Sequence, residues 1–463
     1  MDQTLVFDPE LIQRYDSPGP RYTSYPTAVQ FHEGFGAGDY RAIARRSNED
    51  PIPRPLSLYI HLPFCNTVCF YCACNKVVTK NRGRAGPYLE RVHREIALHG
   101  VLYDRDRPVD QLHWGGGTPT FISHEQMCTL MAVTSRYFTL HNDDSGEYSI
   151  EVDPREVKAD TIALVRDLGF NRLSLGVQDL DPAVQAAVNR IQPFELTAGV
   201  MEAARQRGFH SVNLDLIYGL PRQTQESFAS TLEAVLALDP DRLALYNYAH
   251  LPALFKTQQQ INAEELPPPE EKLAILRLAI ERLTAGGYVY IGMDHFAKPD
   301  DELAVAQRNG KLCRNFQGYS THADCDLIGI GVSALSQVGD SYCQNVRDLE
   351  TYHHRIDANE IPIFRGIELG PDDLLRREVI TRLICHFVLE TKAIEERYGI
   401  RFNHYFSEEL SRLAEMEADG LLSVTPDRIE VSPTGRLLIR NICTVFDKYL
   451  HPREPAQRFS RMV

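Results

Sequence analysis

The chain has 463 residues, 43% hydrophobic and 24% charged, with 63 acidic against 49 basic side chains and a net charge of −14. That apolar content can offset chain entropy by burial, which excludes an intrinsically disordered chain. The acidic excess excludes a nucleic-acid backbone as main partner, because such affinity rests on Lys and Arg neutralising phosphates.

Met1-Asp2-Gln3-Thr4 lacks a basic region ahead of an apolar one, so no secretory signal is expected. No apolar run approaches the roughly 18–20 residues of a membrane span, so no membrane insertion is expected either. The expected location is cytoplasmic. Residues 1–54 read as an N-terminal arm, polar and dotted with Pro and Gly, in which Ser17 to Thr27 is too interrupted for a regular element. Short apolar runs then alternate with helical spacing. Strands are predicted at Leu56–Leu62, Val109–Trp114, Tyr148–Val152, Arg172–Val177, Ser211–Ile217 and Arg242–Tyr248. Helices are predicted at Tyr88–His99, Glu125–Tyr137, Ala159–Leu168, Glu195–Arg207, Gln225–Leu238 and Glu270–Ala285, the last after the start signal Pro267-Pro268-Pro269.

Six strand-then-helix repeats imply parallel strands joined by right-handed crossovers. Six is too few for a closed eight-stranded barrel, so the expected fold is α/β, a partial (β/α)6 barrel over residues 55–300; a doubly wound sheet is the alternative. Chemistry in such barrels gathers at the carboxyl ends of the strands. Those ends carry polar or Gly-rich residues here: His61 to Cys74, Gly115 to Thr118, Glu151 to Asp153, Gln178-Asp179, Asp215, and Asn247 to His250. Residues 301–367 lose the alternation and read as an irregular extension of the barrel. Residues 368–463 read as a smaller, mainly helical C-terminal domain, closing on the alternating Arg428-Ile429-Glu430-Val431 in the manner of a winged-helix module. With this charge balance it is expected to be a lid or packing domain.

Of ten cysteines, Cys65, Cys69, Cys72 and Cys74 crowd together, and Cys128, Cys313, Cys325, Cys343, Cys385 and Cys443 are scattered. The scattered six are expected to be buried thiols, reduced in a cytoplasmic setting. Cys65-x3-Cys69-x2-Cys72 directly follows the first predicted strand. Thiolates are the usual ligands of iron–sulfur clusters, and a cubane normally takes four; three would leave one iron open to bind and activate a ligand. A four-cysteine zinc site using Cys74, and a thiol redox pair at Cys69 and Cys72, are the other readings. Phe70 and Tyr71 alternate with the thiols in a way suited to shielding a cofactor.

This cysteine spacing after a first barrel strand resembles the radical S-adenosylmethionine (SAM) superfamily. The resemblance implies a 4Fe–4S cluster held by Cys65, Cys69 and Cys72, with SAM on the open iron as the source of a 5′-deoxyadenosyl radical. Further motifs narrow it: Pro20-Arg21-Tyr22-Thr23-Ser24-Tyr25-Pro26-Thr27, Cys72-x-Cys74-Asn75-Lys76, His113-Trp114-Gly115-Gly116-Gly117-Thr118-Pro119-Thr120, Glu151-Val152-Asp153-Pro154-Arg155, Gly176-Val177-Gln178-Asp179, Val188-Asn189-Arg190-x-Gln192 and Asp215 to Pro221. Together, over nearly the whole chain, they resemble the oxygen-independent coproporphyrinogen III oxidase family.

That family resemblance implies oxidative decarboxylation of two propionates of coproporphyrinogen III to vinyls, giving protoporphyrinogen IX in heme biosynthesis. It also implies two SAM molecules and a low-potential electron donor such as flavodoxin or ferredoxin. Tyr59, Gly116, Gly117, Thr118 and Glu151 match positions assigned to the first SAM, and Gln178, Arg190, Asp215 and Ala249 match those of the second. Arg190 suits a methionyl carboxylate and Asp215 a ribose diol. Tyr71 stands where a familiar homologue has Phe, and Leu335 where Ile is expected; both keep an apolar contact with cofactor. His61 and Cys74, close to the cluster in this family, are candidate catalytic residues, and Arg21 is a candidate contact for a substrate carboxylate. Heme-binding chaperones built on the same fold are the rival class, but they typically lack the Pro20 to Pro26 lead-in and an equivalent of Cys74. No heptads or sticky strand compel assembly, so a monomer is expected.

Overall fold

The computed structural model describes residues 5–450. Its contacts divide into two compact units, one built from Phe31–Ile275 with Asp324–Glu368, the other from the described parts of Met1–Gln30, Leu276–Ala323 and Leu369–Val463.

The first unit holds a large sheet. Six strands, β1 (Leu56–Leu62), β2 (Pro108–Gly116), β3 (Glu147–Val152), β4 (Arg172–Gln178), β5 (Ser211–Tyr218) and β6 (Arg242–Asn247), lie in spatial order β6-β5-β4-β3-β2-β1, all parallel. Between them run α1 (Ala85–Gly100), α2 (His124–Tyr137), α3 (Ala159–Asp167), α4 (Phe194–Gln206) and α5 (Gln225–Ala237), with α6 (Pro269–Ala285) after β6. Each matches a sequence-predicted element within three residues. Local chemistry sets these boundaries: Ser123 and Gln126 form a reciprocal cap on α2, and Thr224 and Ser227 do the same for α5. β1, Leu-Ser-Leu-Tyr-Ile-His-Leu, is buried on both faces except at Tyr59, as a parallel strand covered on both sides must be.

The stretch expected to be irregular contains more of the sheet. On the far side of β1, β7 (Asp326–Ile330) pairs parallel to it, from Leu56↔Asp326 to Ile60↔Ile330. Beyond follow β8 (Leu335–Val338), β9 (Ser341–Asn345) and β10 (Ile363–Glu368), each antiparallel to its neighbour. These strands are short and β7 is broken by glycine, so neither alternation nor a helical period marks them in sequence.

Two buried ionic devices bind this extension to the parallel strands. Arg107, just before β2, bridges Asp326 of β7 at 2.6 Å, with side chains 1% and 2% exposed. Glu95 of α1, fully buried, accepts hydrogen bonds from the Gly331 amide (2.7 Å), Asn345 Nδ2 (2.7 Å) and Tyr352 Oη (2.6 Å). Three donors offset what would otherwise be a costly buried carboxylate.

In the second unit, helix Pro9–Tyr15 is capped by Asp8, and Ser17 to Thr27 forms no helix. Arg440 fixes this lead-in by donating to the carbonyls of Gly19 (2.5 Å) and Pro20 (2.9 Å). Short antiparallel pairs join Val289–Gly292 to His295–Ala297 and Cys313–Asn315 to Gly318–Ser320. Helices Pro371–His386, Thr391–Tyr398 and Ser407–Ala418 accompany a three-stranded sheet of Val388–Glu390, Arg428–Val431 and Leu422–Thr425. Ile429 and Val431 face inward and Glu430 outward, as the alternation predicts. No helix of the described residues is long and apolar enough to cross a membrane.

One expectation about the thiols is corrected. Five of the six scattered cysteines are buried, but Cys128 is exposed. It lies on α2, where Met127, Leu130, Met131 and Thr134 form the inward stripe and leave position 128 on the solvent side.

Candidate active site at the carboxyl ends of the parallel strands

The cysteine loop leaves β1 and is tied at both ends and in the middle. Two-residue strands Phe64–Cys65 and Val77–Val78 pair across its neck. Phe70 N–H donates to Val188 O (3.0 Å), Asn189 Nδ2 to Val68 O (2.8 Å), Thr257 Oγ1 to Cys72 O (3.0 Å) and Gln258 Nε2 to Tyr71 O (3.1 Å). Phe70 and Tyr71 pack against an apolar cluster of Val184, Val188, Ile217, Leu220, Tyr248 and Ile261. Cys69 is buried, Cys65 and Cys72 are half-buried and Cys74 is exposed.

The thiols have polar company. Thr118 Oγ1 donates to Cys65 Sγ, and Arg155 Nη2 and Arg190 Nη1 both donate to Cys69 Sγ, each at 3.6 Å. Lys76 Nζ donates to Cys72 O at 2.8 Å. A hydrogen bond with Cys74, followed by the Lys76 charge, pulls the Cys72 thiol down to about 6 against the effect of burial. Three thiols with two guanidiniums on one of them form a donor set for a metal cluster whose thiolates carry negative charge.

The glycine turn at the end of β2 lies directly beneath this loop. Gly117 N–H donates to Leu62 O (2.9 Å) and Thr118 N–H to Phe64 O (2.8 Å). A Cβ at Gly117 would lie 2.6 Å from the Pro63 carbonyl carbon, and Gly116 has φ +119° with the His61 ring 2.6 Å from its Cβ position. Both positions therefore require glycine, one for space and one for conformation as well.

His61, on β1, is buried and fully committed. Its Nε2 meets Asn75 O at 3.0 Å and its Nδ1 meets Tyr59 Oη at 3.1 Å. A carbonyl only accepts, so Nε2 carries the proton and Nδ1 receives the tyrosine hydroxyl. Burial lowers the imidazole's pKa, which keeps it neutral. Next door, His113 stacks on Tyr59 with centroids 5.6 Å apart and reaches Glu151 Oε1 at 3.3 Å. Gly116 N–H donates to the other Glu151 oxygen at 3.0 Å. Burial pushes the Glu151 carboxyl up, but His113 and the Gly116 amide outweigh it and hold the group below its ordinary range.

The neighbouring strand ends supply the rest. Gln178 ends β4 at φ +69°, where a bulge sets Gly176 opposite Asp215 and Gln178 opposite Leu216. Arg190 is 6% exposed and bridges Asp153 Oδ2 (3.2 Å) and Gly176 O (2.6 Å), while its Nε is buried without a partner. Burial opposes its charge, but Tyr71, Asp153 and Cys69 outweigh that and raise its pKa. Asp215 on β5 accepts from Asn213 Nδ2 (2.8 Å) and Ser174 Oγ (3.3 Å); burial nonetheless pushes it up to about 6. The Ala249 carbonyl follows β6 and accepts from Gln258 (3.2 Å), the residue that also holds Tyr71. Leu335 begins β8 with its backbone against Gly329, the β7 partner of Tyr59.

Strand order thus brings Tyr59, His61, the thiols, the glycine turn, Glu151, Gln178, Arg190, Asp215 and Ala249 to one end of the parallel sheet. Arg21 belongs to the other unit, where its Nη1 pairs with Asp294 Oδ2 at 2.8 Å. His113 and Arg155 were not singled out from sequence although both lie in the quoted motifs. The signal for His113 was its place two residues before Gly115 on a strand, which points it to the same face.

A three-cysteine loop after β1, a glycine turn after β2 and an acidic residue at the end of β3 define a radical SAM protein, and the model of the radical SAM superfamily matches residues 59–235. Membership implies a 4Fe–4S cluster and SAM. The HemN C-terminal domain matches residues 369–438. The chain is 54% identical over 463 residues to the oxygen-independent coproporphyrinogen III oxidase of Pseudomonas aeruginosa, covering 100% of both. It is 50% identical over 461 residues to that of Escherichia coli, covering 100% of this chain and 99% of the other. The solved structure of the Escherichia coli enzyme, described as coproporphyrinogen III oxidase (HemN), a radical SAM enzyme, superposes with a TM-score of 0.92 at 48% identity, covering 96% of this chain and 100% of that one. The chain belongs to the oxygen-independent coproporphyrinogen III oxidase family.

Proposed function

We propose that this protein oxidatively decarboxylates two propionate side chains of coproporphyrinogen III to vinyls without oxygen, giving protoporphyrinogen IX in heme biosynthesis. The observation that carries this reading is the convergence of the three thiols, the glycine turn, Glu151, Arg190 and Asp215 at one sheet end, in a chain alike over its full length to relatives of that name.

Cys65, Cys69 and Cys72 would hold the 4Fe–4S cluster. When bound, cluster and SAM would supply one-electron radical chemistry able to remove a β-hydrogen from a propionate; loss of carbon dioxide and of one electron to an acceptor would then leave the vinyl. The protein's part is to bind, orient and exclude side reactions. Arg155 and Arg190 set positive charge against Cys69. Gly116 and Gly117 admit a ligand close to the backbone, beside the Thr118 hydroxyl. Glu151, held ionised, accepts from an ammonium or a ribose hydroxyl, and Tyr59 lines the same place. Gln178, Arg190, Asp215 and Ala249 are assigned to a second SAM, with the unpartnered Arg190 Nε as donor to its carboxylate, and Tyr71 and Leu335 give apolar contacts to cofactor.

His61, neutral with both nitrogens engaged, and Cys74, within hydrogen-bonding reach of Cys72, are the candidate catalytic residues. Arg21 is assigned to a substrate carboxylate. A low-potential flavodoxin or ferredoxin as donor, a monomeric state and a cytoplasmic location complete the proposal. So does a division into an arm (1–54), barrel (55–300), barrel extension (301–367) and C-terminal domain (368–463).

The test is anaerobic reconstitution with iron, sulfide, SAM, a reductant and coproporphyrinogen III. Release of carbon dioxide with formation of protoporphyrinogen IX is expected. Stoichiometric heme binding without turnover would replace this reading with heme delivery.

A further inference from the structure

Register across the sheet of the first unit carries the face of the active site out to β10. Tyr59 on β1 lies opposite Gly329 on β7. β7 and β8 run antiparallel through Leu327↔Gln337, which sets Gly329 against Leu335. Leu335 pairs with Gln344 on β9, and Gln344 with Arg365 on β10. Cross-strand partners share a face, so Leu335, Gln344 and Arg365 point to the same side of the sheet as Tyr59. The register then shifts to Asn345↔Ile363, which leaves Phe364 as the extra residue of a bulge. The Arg365 guanidinium carbon lies 5.3 Å from the centre of the Phe364 ring and 5.7 Å from that of Phe31.

Gln344 is buried, and its neighbours orient its amide. Nε2 donates to Ser333 O at 3.2 Å. Oε1 accepts from Arg365 Nε (2.9 Å) and Nη2 (2.6 Å), and Arg347 Nη2 lies 3.5 Å from the same oxygen. Arg347 follows β9, and its carbonyl accepts from Asn75 Nδ2 at 2.9 Å. The Asn75 carbonyl is in turn the one that meets His61 Nε2. The two arginines thus stand beside the end of the cysteine loop, all within one compact unit. Among the described residues, neither guanidinium has a carboxylate within ion-pair distance. Burial, then the Arg347 charge, lowers the Arg365 pKa, and no anion acts in the opposite sense. Two cations therefore share one neutral oxygen, which accepts their hydrogen bonds without neutralising them. A planar anion with paired oxygens matches the guanidinium fork.

We propose that Arg365 and Arg347 together bind a carboxylate of the porphyrinogen substrate, on a propionate other than the one that is reacting. Arg365 is four strand spacings from Tyr59, about 19 Å along the sheet, and two from Leu335, about 10 Å. A carboxylate anchored there is held away from the thiols, and a substrate with several propionates still has others to present to them. The assignment rests on the function proposed above and deepens it by naming what grips the substrate. SAM also carries a carboxylate, so the experiment separates the two sources.

Full-length protein with its cluster reconstituted is compared as wild type, Arg365→Gln, Arg347→Gln, the double variant and Arg365→Lys. KM for coproporphyrinogen III, KM for SAM and iron content are measured. The Kd of coproporphyrin III, the oxidised form with the same carboxylates, gives a readout independent of turnover. Arg365→Gln is expected to raise that KM and Kd about tenfold, the scale of a charge-assisted hydrogen-bond set. Arg347→Gln, on an exposed residue, is expected to raise them about threefold, and the double variant at least as much as Arg365→Gln. KM for SAM and iron content are expected to stay at wild-type values. Arg365→Lys keeps the charge without the planar fork and is expected to restore affinity only in part. Porphyrinogen KM and porphyrin Kd within about twofold of wild type in the double variant overturn the inference, as does an effect confined to KM for SAM. If substitutions at Arg365 prevent folding, wild-type values of both in Arg347→Gln overturn it. Absence of turnover in the wild type would instead overturn the function on which the inference rests.

Discussion

His61, Glu151 and Asp215 stand on alternate strands of the parallel sheet, β1, β3 and β5, and burial acts on each with a different result. His61 is kept neutral because both ring nitrogens are committed in one tautomer and desolvation disfavours the cation. Glu151 is kept ionised by His113 and an amide. Asp215 has donors only from Asn213 and Ser174, and desolvation prevails, raising it to about 6. A carboxyl whose folded pKa exceeds its unfolded value of about 3.9 binds protons more tightly in the native state. Its native-state penalty is therefore absent below about pH 4, grows as pH rises toward 6, and is complete above that. Asp215→Asn is accordingly expected to raise stability at pH 8 by about 1–3 kcal/mol, with the gain vanishing below about pH 4. Thermal or denaturant unfolding across that range checks it; a gain independent of pH would refute the assignment. Among the thiols, Cys65→Ser, Cys69→Ser and Cys72→Ser are each expected to abolish turnover and the visible iron–sulfur absorbance, whereas Cys74→Ser retains the cluster. Iron and sulfide analysis of the four reconstituted variants decides this.

At the scale of elements, the glycine turn after β2 supports the cysteine loop after β1. Gly117→Ala would put a methyl group within 2.7 Å of Pro63 and Phe64 backbone atoms, and backbone cannot yield as a flexible side chain does. A stability loss of about 1–3 kcal/mol is expected, the usual scale of overpacking, together with poor cluster incorporation. A variant with wild-type melting temperature and full iron content would show that the turn is not a support. The six parallel strands and the β7–β10 extension are joined by Arg107–Asp326. Arg107→Met leaves Asp326 buried and uncompensated, at a cost of about 3–5 kcal/mol, measurable by denaturant unfolding; replacing both partners by apolar residues is expected to recover most of that loss. The six alternating strands and helices were legible because each carries a recurring apolar pattern, and α2 and α5 also carry reciprocal caps. β7 to β10 were not, since short strands paired to distant residues leave no local period.

For the molecule as a whole, a net charge of −14 repels a substrate with several carboxylates at long range. Attraction must come from a few guanidiniums at short range, where salt screens little. Raising ionic strength over the range where the Debye length shrinks from about 30 to 8 Å is therefore expected to leave kcat/KM for coproporphyrinogen III unchanged or to raise it. A steep fall with added salt would mean that long-range steering, not local recognition, governs encounter.

The sequence by itself determined the kind of chemistry, because Cys65-x3-Cys69-x2-Cys72, the Gly115-Gly116-Gly117 turn and Glu151 are local patterns whose spacing carries their meaning. It also determined the parallel α/β plan, because periodicity is written residue by residue. Only the tertiary structure decided which polar residues are satisfied. Arg155 and Arg190 on Cys69, His113 on Glu151 and the unpartnered Nε of Arg190 depend on strand order and bulges. Those relations join residues far apart in the chain, and burial, which sets their charge, exists only once the chain has packed.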